Sequence, residues 1–310
     1  MTTVTTPAAR RRRSVHFVPG GNARYLDRAL ASAADTLVLD LEDSVPPDRK
    51  PAAREVVVEW LTSADVARRA AGKELMVRVN SLDTAWGRDD VSALVERGPR
   101  ALMVPKVERV ADLDAVDQVI AAADLLASIT YFPVVTETAA AVVNLPSVAV
   151  HHRVDGVCWG AEDLSAALGA ASARDLTGRF LPVFETVRSW CLIGAAAAGV
   201  PAIDAVFTDL ADLDGLRAES ELAAAMGFAG KITIHPDQID IVNAAFTPSP
   251  ERIADAEALI AEFSHHAAEG RLSFLHNGQM VDAPHLTRAR SILARAGITP
   301  SGATSPGAAP

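Results

Sequence analysis

Glu137 and Asp163 are the residues of this chain best placed to do chemistry. Glu137 closes the apolar run Tyr131-Phe132-Pro133-Val134-Val135-Thr136, and Asp163 follows Val157-Cys158-Trp159-Gly160. Two carboxylates at the ends of such runs suit a hard cation. Mg2+ is usually held by one or two carboxylates, with water and substrate oxygens in its other positions. A 2-oxo acid or hydroxy acid would complete that shell by chelation. Glu42 and Asp43, which follow Thr36-Leu37-Val38-Leu39, and Glu162 stand at comparable positions and are expected beside the substrate, holding water on the ion. Acids just past a strand also cap the helices that follow. Carboxylate pairs are not specific, so spacing alone leaves the cation site and the helix caps equally open.

Arg78, at the end of Leu75-Met76-Val77 and two residues before Asn80, is the best anion binder. A guanidinium can grip a carboxylate with two parallel hydrogen bonds. Its competing use is a structural ion pair with Asp40 or Asp43, and the two readings are nearly level. Lys106, after Ala101-Leu102-Met103-Val104-Pro105, offers a second positive group for the substrate, although pairing with an acid on the adjacent strand is its more ordinary use. His235 follows Lys231-Ile232-Thr233-Ile234 and is read as bonding backbone, not as a catalyst. No GxSxG elbow supports a Ser-His-Asp hydrolase.

These groups share a position: each follows a short apolar run. Buried parallel strands read as near-continuous hydrophobic runs, and strands are expected at 15–18, 36–41, 74–79, 101–104, 129–135, 154–159, 201–207 and 231–234. Helical patterns at 22–33, 50–62, 89–96, 110–127, 139–145, 179–198 and 213–226 separate them. Strands alternating with helices in this way predict an α/β fold, a (β/α)8 TIM barrel rather than a doubly wound sheet. All strands of such a barrel point one way, so charge at their C-terminal ends is charge gathered on one face. Nothing resembling GxGxxG follows the first strand. Beyond His235 come helices at 236–245 and 250–265, a short piece at 270–274, a turn at His276-Asn277-Gly278 and a helix at 283–296. That extension is too small to fold alone and must pack on the barrel or on a neighbouring subunit.

The chain has 310 residues, 49% hydrophobic and 22% charged, which is ordinary for a globular protein. Aromatic residues are only 5%, so the core must be mostly Ala, Val, Leu and Ile. A net charge of −10 argues against nucleic acid as a partner, because phosphate binding needs a broad basic footprint. No run is long enough to span a membrane. Cys158 and Cys191 lack ligand-like spacing and read as buried, reduced thiols of a cytoplasmic protein. The start of the chain, with four consecutive arginines and no apolar core, is not a secretory signal; it reads as a disordered arm, with an organelle transit sequence as the alternative. The tail at 299–310, rich in Pro, Gly, Ser, Thr and Ala, cannot form a core.

Several fragments recur in a fixed order: Arg13-Ser14-Val15-His16-Phe17-Val18-Pro19-Gly20, Leu39-Asp40-Leu41-Glu42-Asp43-Ser44-Val45, Val77-Arg78-Val79-Asn80, Val104-Pro105-Lys106-Val107-Glu108, Thr136-Glu137-Thr138, Gly160-Ala161-Glu162-Asp163-Leu164 and Gly199-Val200-Pro201-Ala202-Ile203-Asp204. Together they resemble the HpcH/HpaI aldolase and citrate lyase β-subunit family, in particular its free-standing CoA-ester lyases, from Arg13 to about Ala296. The resemblance implies a TIM barrel in which Glu137 and Asp163 hold Mg2+ and Arg78 binds a 2-oxo acid carboxylate. It also implies a carbon–carbon bond made or broken between acetyl-CoA and that acid. In CoA-dependent relatives a C-terminal element covers a neighbouring subunit's site and contributes an aspartate. Gly278-Gln279-Met280-Val281-Asp282-Ala283-Pro284 is similar to that element, which makes Asp282 the acid/base; the family usually has Lys where this chain has Gln279. Arg13 and its neighbours would meet CoA phosphates.

The expected division is then an arm at 1–12, a barrel at 13–248, a lid-like helical extension at 249–298 and a tail at 299–310, in a homo-oligomer, a trimer or hexamer, with the lid from a neighbour. The expected function is Mg2+-dependent, reversible Claisen-type cleavage of a malyl-, citramalyl- or citryl-CoA type thioester to acetyl-CoA and a 2-oxo acid. The alternatives are a thioesterase or malate-synthase-like outcome releasing free CoA, a CoA-independent 2-oxo acid aldolase, and a lyase-complex subunit that needs an acyl-carrier partner.

Overall fold

Alternate side chains of a strand point to opposite faces; here one face fills a barrel and the other meets helices. The computed structural model describes residues 11–95, 98, 101–122 and 129–298. Its chain divides into two compact units, residues 12–245 and residues 246–298 together with residue 11. Most of the expected arm, the expected tail and the ends of the helices expected at 89–96 and 110–127 lie outside the described residues.

The first unit opens with β1 (Ser14–Pro19), α1 (Ala23–Leu30), β2 (Thr36–Asp40), α2 (Lys50–Thr62), α3 (Ala64–Arg69) and β3 (Glu74–Arg78). It continues with α4 (Gly87–Val95), β4 (Ala101–Val104), α5 (Val110–Ala122), β5 (Thr130–Pro133), α6 (Ala139–Ala149) and β6 (Val157–Cys158). It ends with α7 (Ala161–Ala167), α8 (Pro182–Ala198), β7 (Ala202–Asp204), α9 (Leu213–Met226), β8 (Gly230–Thr233) and α10 (Asp237–Ala245). The strands pair in the order β5-β4-β3-β2-β1-β8-β7-β6, every neighbour parallel. The ring closes between β5 and β6 through parallel bridges, Tyr131 to Val154 and Val134 to Cys158, and the Val135 amide donates to the Cys158 carbonyl at 3.0 Å. Eight parallel strands therefore form a nearly closed TIM-type barrel, as the sequence predicts.

From Val15 on β1 round to Ile232 on β8, every strand contributes to one buried interior cluster, with Phe132 and Met76 among its bulkiest members. Period-two alternation then fixes the ends. Asp40 lies two residues beyond Val38, and Arg78 two beyond Met76, so both turn inward at the C-terminal mouth, directly opposite each other in register. At the other mouth Glu74, two residues before Met76, meets Arg12, which is 4% exposed. Arg12 donates to both Glu74 oxygens at 2.6 and 2.8 Å and to the Asp155 carbonyl at 2.6 Å, closing the floor of the barrel.

On the outward face, Asp204 and Lys231 are neighbours on β7 and β8 and are fully buried. Lys231 Nζ donates to Asp204 and to Glu219 at 2.8 Å each. Arg188 of α8 donates twice to Asp204, at 2.9 and 2.8 Å, and Arg174 donates to both Glu219 oxygens. Burial alone would raise both carboxylates; Lys231 and Arg188 instead draw Asp204 down to about 2, and Lys231 and Arg174 draw Glu219 below its usual value. This network locks α8 and α9 to the barrel wall.

Two helices were not legible: α3 and the short α7 that carries Asp163. α6 runs on through Pro146 to Ala149, past its expected end. Proline deprives the Val142 carbonyl of its helical donor, and the Trp190 indole of α8 replaces it, donating to Val142 O at 3.0 Å. The second unit comprises α11 (Pro250–Ala268), a hairpin of β9 (Phe274–His276) and β10 (Gln279–Val281), and α12 (Ala283–Arg295). Asn277 and Gly278 both adopt positive φ, 48° and 77°, as the tight turn between twisted strands requires. Val281, Leu259 and Leu293 anchor its own small core. Among the described residues, no helix is long and apolar enough to cross a membrane.

Candidate active site

The C-terminal mouth gathers five of the acids and bases expected there: Glu42, Asp43, Arg78, Lys106 and Glu137, with Asp163 beside them. Glu137, four residues past the end of β5, is 3% exposed, and Asp163, in the first turn of α7, has 41% of its side chain exposed. The two segments are tied together by Thr136, whose hydroxyl accepts from the Gly160 amide at 3.0 Å. Gly160 packs close to Glu137: a Cβ added there would stand in van der Waals contact with its Cγ, at 3.4 Å.

Lys106 joins the pair. Its backbone takes a left-handed φ of 55° after Pro105, a conformation costing about 1–2 kcal/mol in a residue with a Cβ. In return its amide donates to Glu137 Oε2 while its ammonium lies 3.3 Å from Glu137 Oε1 and in direct contact with Asp163 Oδ1. Burial raises the Glu137 carboxyl above its usual value; Lys106 opposes the shift and Asp163 adds to it.

Arg78 is held from the neighbouring strand. Its Nε and Nη2 donate to the two Asp40 oxygens at 2.7 and 2.8 Å, and its Nη1 lies 2.8 Å from Glu42 and 3.4 Å from Asp43. The Phe17 ring lies beneath, 4.9 Å from the guanidinium carbon. The structural pair with Asp40 is thus real, and it fixes one edge of the guanidinium while the Nη1 side faces the mouth. Burial would lower the Arg78 pKa, but Asp40, Glu42 and Asp43 raise it, so its charge is permanent. Asp40 is held below its usual value, because the Arg78 bonds outweigh burial. Glu42 is pushed up to about 8, chiefly by burial, with Glu137 and Asp43 adding and Arg78 opposing. Its Oε2 is buried and receives no hydrogen bond in spite of the nearby Nη1.

These observations test whether Mg2+ fits. One ammonium already reaches both Glu137 and Asp163, so the carboxylates converge on a single cation position. Their donors are oxygens, the kind a hard cation takes, and the bare Glu42 oxygen is placed to accept from a water. The residues present fit the ion.

Other expected residues lie elsewhere. Glu162 is exposed. His235 is half-buried and its Nδ1 accepts from the Asp237 amide at 3.3 Å, in line with the backbone role expected. Asn80 donates to the Leu41 carbonyl at 2.9 Å and to Asp90 at 2.7 Å, bracing the loop that carries Glu42. Arg13, expected near CoA phosphates, is not gathered with the others. It precedes β1 and so sits at the N-terminal mouth, paired with Asp35 at 2.8 Å. Asp282 is the N-cap of α12 in the second unit, 2.7 Å from His285 Nδ1, a partner the sequence reading missed although its i+3 spacing is that of a capping box. Phe17 was also missed; its place two residues after inward-facing Val15 is the signal that would have found it.

Residues 13–236 match the family model described as HpcH/HpaI aldolase/citrate lyase. A (3S)-malyl-CoA thioesterase of Cereibacter sphaeroides is 38% identical over 92% of this chain and 94% of its own. An L-malyl-CoA/β-methylmalyl-CoA lyase of the same organism is 32% identical over 94% of this chain and 96% of its own. The crystal structure of CitE from Mycobacterium tuberculosis, in complex with magnesium, acetoacetate and coenzyme A, superposes with a TM-score of 0.77 at 35% identity, covering 92% of this chain and 98% of that one. A barrel with acids converging at its C-terminal mouth, relatives that span nearly its whole length and a matching family model lead to one conclusion: the chain belongs to the HpcH/HpaI aldolase/citrate lyase family of lyases.

Proposed function

We propose that the C-terminal mouth catalyses reversible, Mg2+-dependent Claisen-type cleavage of a malyl-, citramalyl- or citryl-CoA type thioester into acetyl-CoA and a 2-oxo acid. The observation that carries this reading is the convergence of Glu137 and Asp163 on one cation position beside a guanidinium fixed on one edge by Asp40. Held by Glu137 and Asp163, Mg2+ would supply Lewis-acid charge at the oxygen that becomes the oxo group. Arg78 turns its Nη1 side to the substrate carboxylate. Phe17 shields the guanidinium from water on one side. Lys106, released from between the two acids, stays beside the substrate as a second positive group. Glu42 and Asp43 accept hydrogen bonds from the hydroxyl or from water.

In cleavage the hydroxyl gives its proton to Glu42 or Asp43, directly or through a water, as the bond from the carbinol carbon to the carbon α to the thioester breaks and the carbinol carbon becomes the oxo carbon. The electron pair stays on that α carbon as an enolate. Asp282, contributed by the C-terminal unit of a neighbouring copy in a trimer or hexamer, gives the carbon a proton, and in condensation removes one. The Cereibacter lyase and the magnesium- and coenzyme-A-bound CitE support this reading.

A second reading, hydrolysis of the thioester, is favoured by the relative named a thioesterase. Product analysis separates them: with Mg2+ and malyl-, citramalyl- or citryl-CoA, acetyl-CoA and a 2-oxo acid are expected, and free CoA without acetyl-CoA would replace the lyase reading with the thioesterase one. Asp282→Asn should suppress exchange of the acetyl-CoA methyl protons with Mg2+ affinity unchanged. Retained exchange would remove Asp282 from the role.

A further inference from the structure

At the opposite mouth of the barrel we infer a second cation site, in which His151, His152 and Asp117 form a clip for a borderline divalent transition metal of the Zn2+ type. It is independent of the function proposed above. Asp114 and Asp117 lie three residues apart on α5, on one helical face. The segment between α6 and β6 brings His151 and His152 against them, and the ligating atoms of Asp117, His151 and His152 all lie within 4.8 Å of one another.

The two oxygens of Asp117 are divided between tasks. Oδ1 accepts from the Tyr131 hydroxyl at 2.6 Å and lies 2.7 Å from Arg153 Nε, which fixes the carboxylate in place. Oδ2 faces the imidazoles, 3.4 Å from His151 Nε2 and 3.5 Å from His152 Nε2, and Asp114 Oδ1 lies 3.5 Å from His151 Nε2. His151 has a side chain only 3% exposed, and its Nε2 is buried without a hydrogen-bond partner. Separations of 3.4–3.5 Å are long for hydrogen bonds. They suit ligands of one ion: donors about 2.1 Å from a tetrahedral centre stand roughly 3.4 Å apart. Two imidazoles with a carboxylate select Zn2+, Co2+ or Ni2+ over Mg2+. Asp114 or a water would complete the tetrahedron. Binding at Nε2 moves the ring proton to Nδ1 and gives up only a long 3.3 Å contact from the Arg153 amide.

The location gives the clip a purpose. Tyr131 and Val154 form one of the two bridges that close β5 onto β6 among the described residues, so an ion here ties α5 to the segment entering β6 across that seam.

Co2+ is the probe, titrated into the full chain held in excess Mg2+. One equivalent should give the absorption of tetrahedral Co2+, and the Glu137→Gln/Asp163→Asn double variant should keep it. His152 is 67% exposed, so His152→Asn should fold normally while weakening Co2+ binding by about 10–100-fold or more; Asp117→Asn should act likewise. Absence of the tetrahedral band, or a band equally strong in His152→Asn, would overturn the site and leave plain His–Asp ion pairs.

Discussion

Two clusters of acids and bases flank this barrel, and they differ in how their charge is balanced. On the outer wall Asp204 and Glu219 meet Lys231, Arg188 and Arg174, so cations outnumber carboxylates. At the C-terminal mouth Asp40, Glu42, Asp43, Glu137 and Asp163 meet, among the described residues, only Arg78 and Lys106. The consequence is opposite in sign. The wall's acids are drawn below their usual range, whereas Glu42 and Glu137 are pushed above it. A buried network in which every carboxylate has its cations holds elements together. A cluster with surplus carboxylate favours a further cation, and this is the physical argument behind the proposal that Mg2+ binds at the mouth.

The contrast breaks most visibly under single substitutions. Glu137→Gln should lower the cleavage rate by roughly 10^3-fold, because several kcal/mol of charge stabilisation go with the ion. Its melting temperature should hold or rise, since one like charge has been removed. Asp204→Asn should do the reverse, costing about 3–5 kcal/mol of stability by leaving Arg188 without its buried carboxylate and Lys231 with Glu219 alone. Thermal melts and rates on the same two proteins test both at once, and a Glu137→Gln chain as destabilised as Asp204→Asn would erase the distinction. A smaller effect is expected of Arg78→Lys. Losing the second donor to the substrate carboxylate should raise KM for the 2-oxo acid in condensation about 10–100-fold.

The smallest effect is in pH. Asp204 titrates near 2 when folded, below its usual 3.8, so its contribution is present above about pH 4 and is lost as pH falls towards 2, about 2 kcal/mol in all. Glu42 has the opposite sign. Its folded value of about 8 exceeds the usual 4.5, so metal-free protein should lose stability as pH rises from about 4.5 towards 8. Denaturant melts across that range should show the loss, and Glu42→Gln should flatten it.

Much of this was legible in the sequence, for a reason visible in particular residues. Apolar runs that stop at charge mark strand ends, so the sequence alone sets Glu42, Arg78 and Glu137 on one rim. Asp40 was already named as the rival partner of Arg78, and the register pairs them. What the sequence could not give were facts of direction and of distant partners. Arg13 resembles a family motif, but a residue before β1 must sit at the N-terminal mouth, away from the rim. α6 passes its proline because Trp190, far along the chain, supplies a donor that no local pattern announces. Lys106 was rated a structural partner or a substrate group; its left-handed backbone, which points both its amide and its ammonium at Glu137, has no signature in the residues around it.

The most direct test of the central assignment is a calorimetric titration of Mg2+ into the wild-type chain and into Glu137→Gln/Asp163→Asn, each with pyruvate present. One ion per wild-type chain and no measurable binding in the double variant is the expected result. Equal binding in both proteins would contradict the assignment of the ion to these two carboxylates.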